Sequence, residues 1–144
     1  MSRYVLDNSV TMRWLLTSKK KKDQVYAVAI LQSLANAEVV VPNLWHLEVV
    51  NVLMAAEKRG ELTPAEVERF IAQLEALPIQ VDPLTAHQAF SRTLNLTRLY
   101  KLSSYDAAYL ELAVRENLPL ATLDRQLMNA AGKANVSIYL NETL

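Results

Sequence analysis

The spacing of apolar residues along the chain switches repeatedly between a strand period and a helix period. Arg3–Leu6 is a short β-branched and aromatic run ending at Asp7, the pattern of a first strand. Residues 9–16 then carry apolar side chains at helical spacing, and an amphipathic helix is predicted over Asp23–Ala35. Glu38–Val41 reads as a second strand, closed by Pro42. Asn43 is placed to cap a helix that runs to Arg59 and stops at Gly60, a typical C′ residue. Thr63-Pro64-Ala65-Glu66 combines a capping box with proline at the first helical position, so a further helix starts there. Ile79–Val81 is a third strand, and Asp82-Pro83 opens a helix reaching about Leu96. Ser103 or Ser104 caps a helix to about Glu116. Leu118–Leu123, Asp124–Ala131 and Ser137–Leu140 follow as fourth strand, short helix and fifth strand.

Strands alternating with helices predict an α/β fold, with a central parallel sheet of about five strands and helices on both faces. No linker, repeat or low-complexity segment breaks the pattern, so one domain over residues 1–144 is expected. A hydrophobic share of 51% excludes a disordered chain. No apolar run is long enough to span a membrane. Met1-Ser2-Arg3-Tyr4 leads directly into a strand, which reads as no signal peptide and a cytoplasmic location.

Composition narrows the chemistry. With no cysteine, disulfides, thiolate metal sites and a cysteine nucleophile are all excluded. Only Gly60 and Gly132 are present, which removes glycine-rich phosphate loops and the dinucleotide fingerprint. Fifteen basic and fifteen acidic residues give zero net charge, without the basic excess usual in nucleic-acid binders. Four of those acids, however, map to one place.

Ligands of an open parallel sheet collect at the carboxyl ends of its strands. Asp7 lies at the end of strand one and Asp124 just past strand four. Asp106 is in the first turn of the helix feeding strand four, and Glu48 is in the helix leaving strand two. Asp7, Asp106 and Asp124 can each be read instead as helix-capping acids. Glu48 has mainly apolar neighbours on its helix face (Leu44, Trp45, Val52 and Ala55) and no lysine one turn away, so a capping or surface role explains it poorly. Metal binding accounts for all four acids together. Hard carboxylate oxygens without His or Cys suit Mg2+ or Mn2+ rather than zinc, and such ions serve phosphodiester hydrolysis.

The segments around these acids resemble the motifs of the PIN-domain family: Tyr4-Val5-Leu6-Asp7-Asn8-Ser9, Pro42-Asn43-Leu44-Trp45-His46-Leu47-Glu48-Val49-Val50-Asn51-Val52-Leu53, Tyr105-Asp106-Ala107-Ala108-Tyr109-Leu110 and Leu120-Ala121-Thr122-Leu123-Asp124. Order and spacing are similar in particular to the VapC-type toxins of prokaryotic toxin–antitoxin pairs, over about residues 3–141. The resemblance implies a Mg2+- or Mn2+-dependent endoribonuclease in which Asp7, Glu48, Asp106 and Asp124 hold the metal. It implies Ser9 and Thr122 beside them, as supporting or phosphate-contacting hydroxyls. It also implies a homodimer or higher homo-oligomer, and a cognate antitoxin lying over the active-site groove. Some relatives carry another acid shortly after the last Asp; here Arg125, Gln126 and Leu127 follow, so a second metal lacks that ligand.

Further residues can assist. Lys19, Lys20, Lys21 and Lys22, with Arg98 and Lys101, offer phosphate contacts, although a charge run is also simply a solvated loop. Asn51, one turn beyond Glu48, can hydrogen-bond Glu48 or metal-bound water. Trp14, Trp45, Tyr105 and Tyr109 stand at core-like spacings. Alternatives are an RNA-processing PIN nuclease without an antitoxin, and a non-catalytic PIN scaffold. A signalling receiver domain fits less well, because Asp7 has no acidic neighbour and Asp82 before Pro83 reads as a cap.

Overall fold

A computed structural model describes residues 2–143. Four parallel strands form the sheet: β1 (Ser2–Leu6), β2 (Ala37–Pro42), β3 (Ile79–Asp82) and β4 (Leu120–Ala121), in the order β3-β2-β1-β4. The helices are α1 (Asn8–Thr11, continuing as a 3-10 turn to Trp14), α2 (Lys21–Ser33), α3 (Trp45–Lys58), α4 (Pro64–Glu75), α5 (Thr85–Gln88), α6 (Leu94–Tyr100), α7 (Ser104–Glu116) and α8 (Arg125–Lys133). Consecutive strand residues face opposite sides of a sheet, so the complete burial of Tyr4, Val5 and Leu6 means that both faces of β1 are covered. On β3 the middle residues Gln80 and Val81 are exposed, as expected of an edge strand. No helix among the described residues is long and apolar enough to cross a membrane.

The fifth strand expected over Ser137–Leu140 is reduced to a single parallel bridge, Leu120 to Ile138. Only Leu120 serves that edge, accepting from the Tyr139 amide and donating to the Ser137 carbonyl, both at 2.9 Å. Pro119 has no amide to extend the ladder, and Leu140, at φ 53°, turns the chain away. Tyr139 still packs on the core, with its ring stacked on Tyr4 at 4.1 Å.

Two expected helix starts are also corrected. Asn43 does not cap α3: its backbone amide donates to Thr85 Oγ1, and the helix begins at Trp45. Asp82 does not cap a helix either. Its buried carboxylate accepts both Arg115 Nη1 (3.2 Å) and Nη2 (2.6 Å), while Arg115 also forks to Glu111 at 2.8 and 3.0 Å. The helix after Pro83 starts at Thr85, widens to a π turn over Ala89–Thr93 and runs on to Tyr100 rather than Leu96. Lys21 and Lys22 fall inside α2, leaving only Lys19 and Lys20 in the preceding connection. The Thr63 capping box and the Gly60 stop, at φ 75°, form as expected, and the Glu61 amide closes onto the Ala56 carbonyl.

Candidate active site

The chain builds outward from β1 through β2 to β3, then crosses back to add β4 on the other side of β1. The β1/β4 junction is therefore the point where the winding reverses, and its carboxyl edge is the expected ligand crevice. Asp7 and Asp124 follow the two strands there. Because α3 begins at Trp45, Glu48 lies in its first turn, and Asp106 lies in the first turn of α7. Each acid thus sits at a helix N-terminus, where the dipole partly offsets carboxylate charge.

Their charges reach one another in pairs. Asp7 feels the charges of Glu48 and Asp124; Asp106 feels those of Asp124 and Asp7; Glu48 feels that of Asp106. Burial pushes Asp7 up to about 6, with the neighbouring carboxylates adding to the rise and the Ser9 and Thr122 hydroxyls opposing it. Asp106 also rises to about 6, through desolvation and then repulsion by Asp124 and Asp7. Glu48 is raised by desolvation and by Asp106, against the stabilising bond from Tyr109. Among the described residues, no lysine or arginine pairs with any of the four.

Hydrogen bonds hold three of these carboxylates by one oxygen each. Ser9 Oγ and Thr122 Oγ1 donate to Asp7 Oδ2 at 2.6 and 2.8 Å. Both hydroxyls in turn accept backbone amides, Ser9 from Leu123 and Thr122 from Asp124, which locks the β4–α8 connection onto the end of β1. The phenol of Tyr109 donates to Glu48 Oε1 at 2.6 Å, and the Leu127 amide donates to Asp124 Oδ1 at 2.9 Å. Asp106 Oδ atoms take no hydrogen bond among the described residues; only its backbone amide is engaged, by Ser103 Oγ.

The capping explanations now separate. Asp124 is a true N-cap through Oδ1, so it has a structural role beside any chemical one. Asp7 stands at the N-cap position of α1 but makes no side-chain cap bond. Asp106 lacks the reciprocal bond of a capping box. The expectation that Glu48 is a buried acid without a partner is corrected: it is half-buried and bonded to Tyr109, a residue 61 positions away. Tyr109 itself is missed by local sequence reasoning except as a core residue. Asn51 is exposed and makes no bond to Glu48 among the described residues. Tyr105 is 59% exposed, against its core-like spacing, whereas Trp45 is buried and donates to Thr11 Oγ1.

A cleft lined by Asn8, Ser9, Arg13, Ser18, Leu123 and Asp124 leads from the acids toward the connection carrying Lys19 and Lys20. Arg98 and Lys101 are exposed at the end of α6, and Gln126 Nε2 donates to the Lys101 carbonyl, tying that loop to the start of α8. A separate apolar groove between α3 and α4, lined by Val49, Val50, Ile71, Leu74 and Leu77, contains none of the four acids.

The donor set can be tested for a metal. Asn8 Oδ1, in the cleft, is buried and is the one such side-chain atom among the described residues without a hydrogen-bond partner. With it stand the second oxygens of Asp7, Glu48 and Asp124 and both oxygens of Asp106. All are hard oxygen donors, matched to Mg2+ or Mn2+ and unsuited to soft metals. Among the described residues no three Asp, Glu or His side chains are drawn together tightly enough to close on one ion.

Comparison with known proteins bears on the same region. A family model described as PIN domain matches residues 4–133. The fold is similar to the crystal structure of PAE2754 from Pyrobaculum aerophilum, at 21% identity and TM-score 0.66, covering 90% of this chain and 79% of that one. It is also similar to the crystal structure of FitAcB from Neisseria gonorrhoeae, at 17% identity and TM-score 0.56, covering 98% of this chain and 99% of that one. No curated protein matches the sequence.

Proposed function

The chain belongs to the PIN domain family, whose members are generally nucleases, and from that premise we propose that it is a Mg2+- or Mn2+-dependent endoribonuclease. The observation that carries this reading is the state of Asp7. It is 5% exposed, held through one oxygen by two hydroxyls, subject to the charges of Glu48 and Asp124, and paired with no lysine or arginine among the described residues. A carboxylate in that position is stabilised by a cation from solution.

Asp7 Oδ1, Glu48 Oε2, Asp124 Oδ2 and the Asp106 carboxylate are the oxygens left to hold the metal. A bound divalent cation supplies polarisation of the scissile phosphodiester and of the attacking water. Ser9 and Thr122 orient Asp7, and their protons are committed to it rather than to phosphate. Arg13 in the cleft, Lys19 to Lys22 at and before the start of α2, and Arg98 and Lys101 at the end of α6 offer the backbone contacts that position a strand without reading its sequence. Arg125 and Gln126 are exposed where a further acid would be needed, which favours a single metal.

A toxin role with a cognate antitoxin and self-association follows the VapC-like motifs. It is supported by apolar surface that a lone chain leaves in water: Leu47, Val50 and Met54 along one face of α3, and Phe90, which is 95% exposed. The test is cleavage of a structured RNA by the purified chain. We expect Mn2+-dependent cleavage that EDTA abolishes, and a loss of about 1,000-fold or more, about 4 kcal/mol of transition-state stabilisation, in both Asp7→Asn and Asp106→Asn. Activity indifferent to EDTA, or equal in the variants, contradicts the proposal.

A further inference from the structure

Tyr109 lies one turn beyond Asp106 on α7 and is completely buried, yet its phenol does not end in the apolar core. It reaches Glu48 on α3 at 2.6 Å and is that side chain's one hydrogen-bond partner among the described residues. Building on the metal reading above, we infer that Tyr109 is a positioning residue, fixing Glu48 by Oε1 so that Oε2 is presented to the other acids.

The physical case has three parts. Glu48 is only half-buried, and a glutamate side chain has several free torsions, so an unheld carboxylate swings toward water at little cost. The phenol, by contrast, is held in place, because Tyr109 is completely buried and its hydroxyl donates to Glu48 Oε1. Tyr109 also stands one turn from Asp106 on the same helix, so the bond references Glu48 to the element that carries a second acid. One buried hydroxyl thereby sets an acid of α3 relative to α7. Partners of this kind, which orient a ligand without touching the ion, commonly matter to metal affinity.

The experiment is a Mn2+ titration of the purified full chain, followed by electron paramagnetic resonance of the free ion near neutral pH. Tyr109→Phe keeps the ring and deletes the bond; we expect its Mn2+ Kd to rise about tenfold. Tyr4→Phe is the control. It also removes a buried phenol, one bonded to Ser33 and the Ile30 carbonyl far along the fold, and should leave the Kd within about twofold of wild type. Each Kd is read well below the Tm of the variant concerned, so that lost stability in Tyr109→Phe is not read as lost affinity, and a double-variant cycle tests the pairing. Glu48→Asp withdraws the carboxylate from the phenol and should raise the Kd itself, and Tyr109→Phe should add less than about twofold on that background. An unchanged Kd in Tyr109→Phe, equal losses in Tyr109→Phe and Tyr4→Phe, or a full further loss in the double variant would each overturn the inference alone. Absence of Mn2+ binding by wild type would overturn the metal reading and this inference with it.

Discussion

Asp82 and Asp7 are buried to the same degree, each 5% exposed, and the protein treats them in opposite ways. Asp82 ends the edge strand β3 and meets Arg115 of α7, whose guanidinium also grips Glu111; two carboxylates and one cation form a closed set of four bonds. Those bonds hold Arg115 firmly in its charged form, well above its ordinary range. Asp7 follows the central strand β1 and meets two hydroxyls and the charges of Glu48 and Asp124, and among the described residues no arginine or lysine pairs with it. The contrast shows that this fold can neutralise buried acids from within. Where it does not, at the winding reversal between β1 and β4, we propose that the missing charge is supplied by a metal ion.

The sharpest way to break the contrast is to make the Asp82 side resemble the Asp7 side. Arg115→Met leaves two nearly buried acids without a cation and should cost about 3–5 kcal/mol, read by chemical denaturation of the metal-free protein. Replacing all three members with apolar side chains, as Arg115→Met with Asp82→Leu and Glu111→Leu, should recover most of that loss, because the pair is worth little over a well-packed apolar substitute. The comparable change on the other side, Asp7→Asn, should not destabilise the metal-free fold at neutral pH while it removes cleavage.

That last statement has a pH signature. With its carboxyl raised from 3.8 to about 6 in the folded chain, Asp7 binds a proton in the native state that the unfolded state has released. Its contribution is fully favourable below about 3.8 and is lost as pH rises through about 6. The size is on the order of 3 kcal/mol. Stability of metal-free wild type relative to Asp7→Asn should therefore fall between pH 4 and 7, and the difference isolates Asp7 from acids elsewhere that behave in the opposite sense. A flat difference across that range would show that Asp7 is neutralised by something within the protein.

How much of this was legible in the sequence depends on whether the cause was local. The run Tyr4-Val5-Leu6 before Asp7, the Thr63 capping box and the Gly60 stop are local signals, and they form as read. The order of strands and helices is local in the same sense, and the parallel pairing of β1 with β2 and β4 puts their carboxyl ends on one side. What stayed hidden is pairing across the fold. Asp82 before Pro83 carries a strong local cap signal, overridden by an arginine 33 residues away. Glu48 looked unpartnered because helix neighbours were the only partners visible, and its donor lies on a different helix. The fifth strand failed for a related reason: apolar alternation over Ser137–Leu140 is real, but its pairing edge consists of Leu120 alone.

The central claim is that the acids at the β1/β4 edge await a cation from solution. Thermal unfolding of wild type and Asp7→Asn at pH 7, each with and without Mn2+, tests it most directly. Saturating Mn2+ should stabilise wild type by about 2.7 kcal/mol at a hundred times its Kd, a rise of several degrees in Tm, and leave Asp7→Asn nearly unmoved. A wild-type Tm indifferent to Mn2+, or an equal rise in both proteins, would contradict the account.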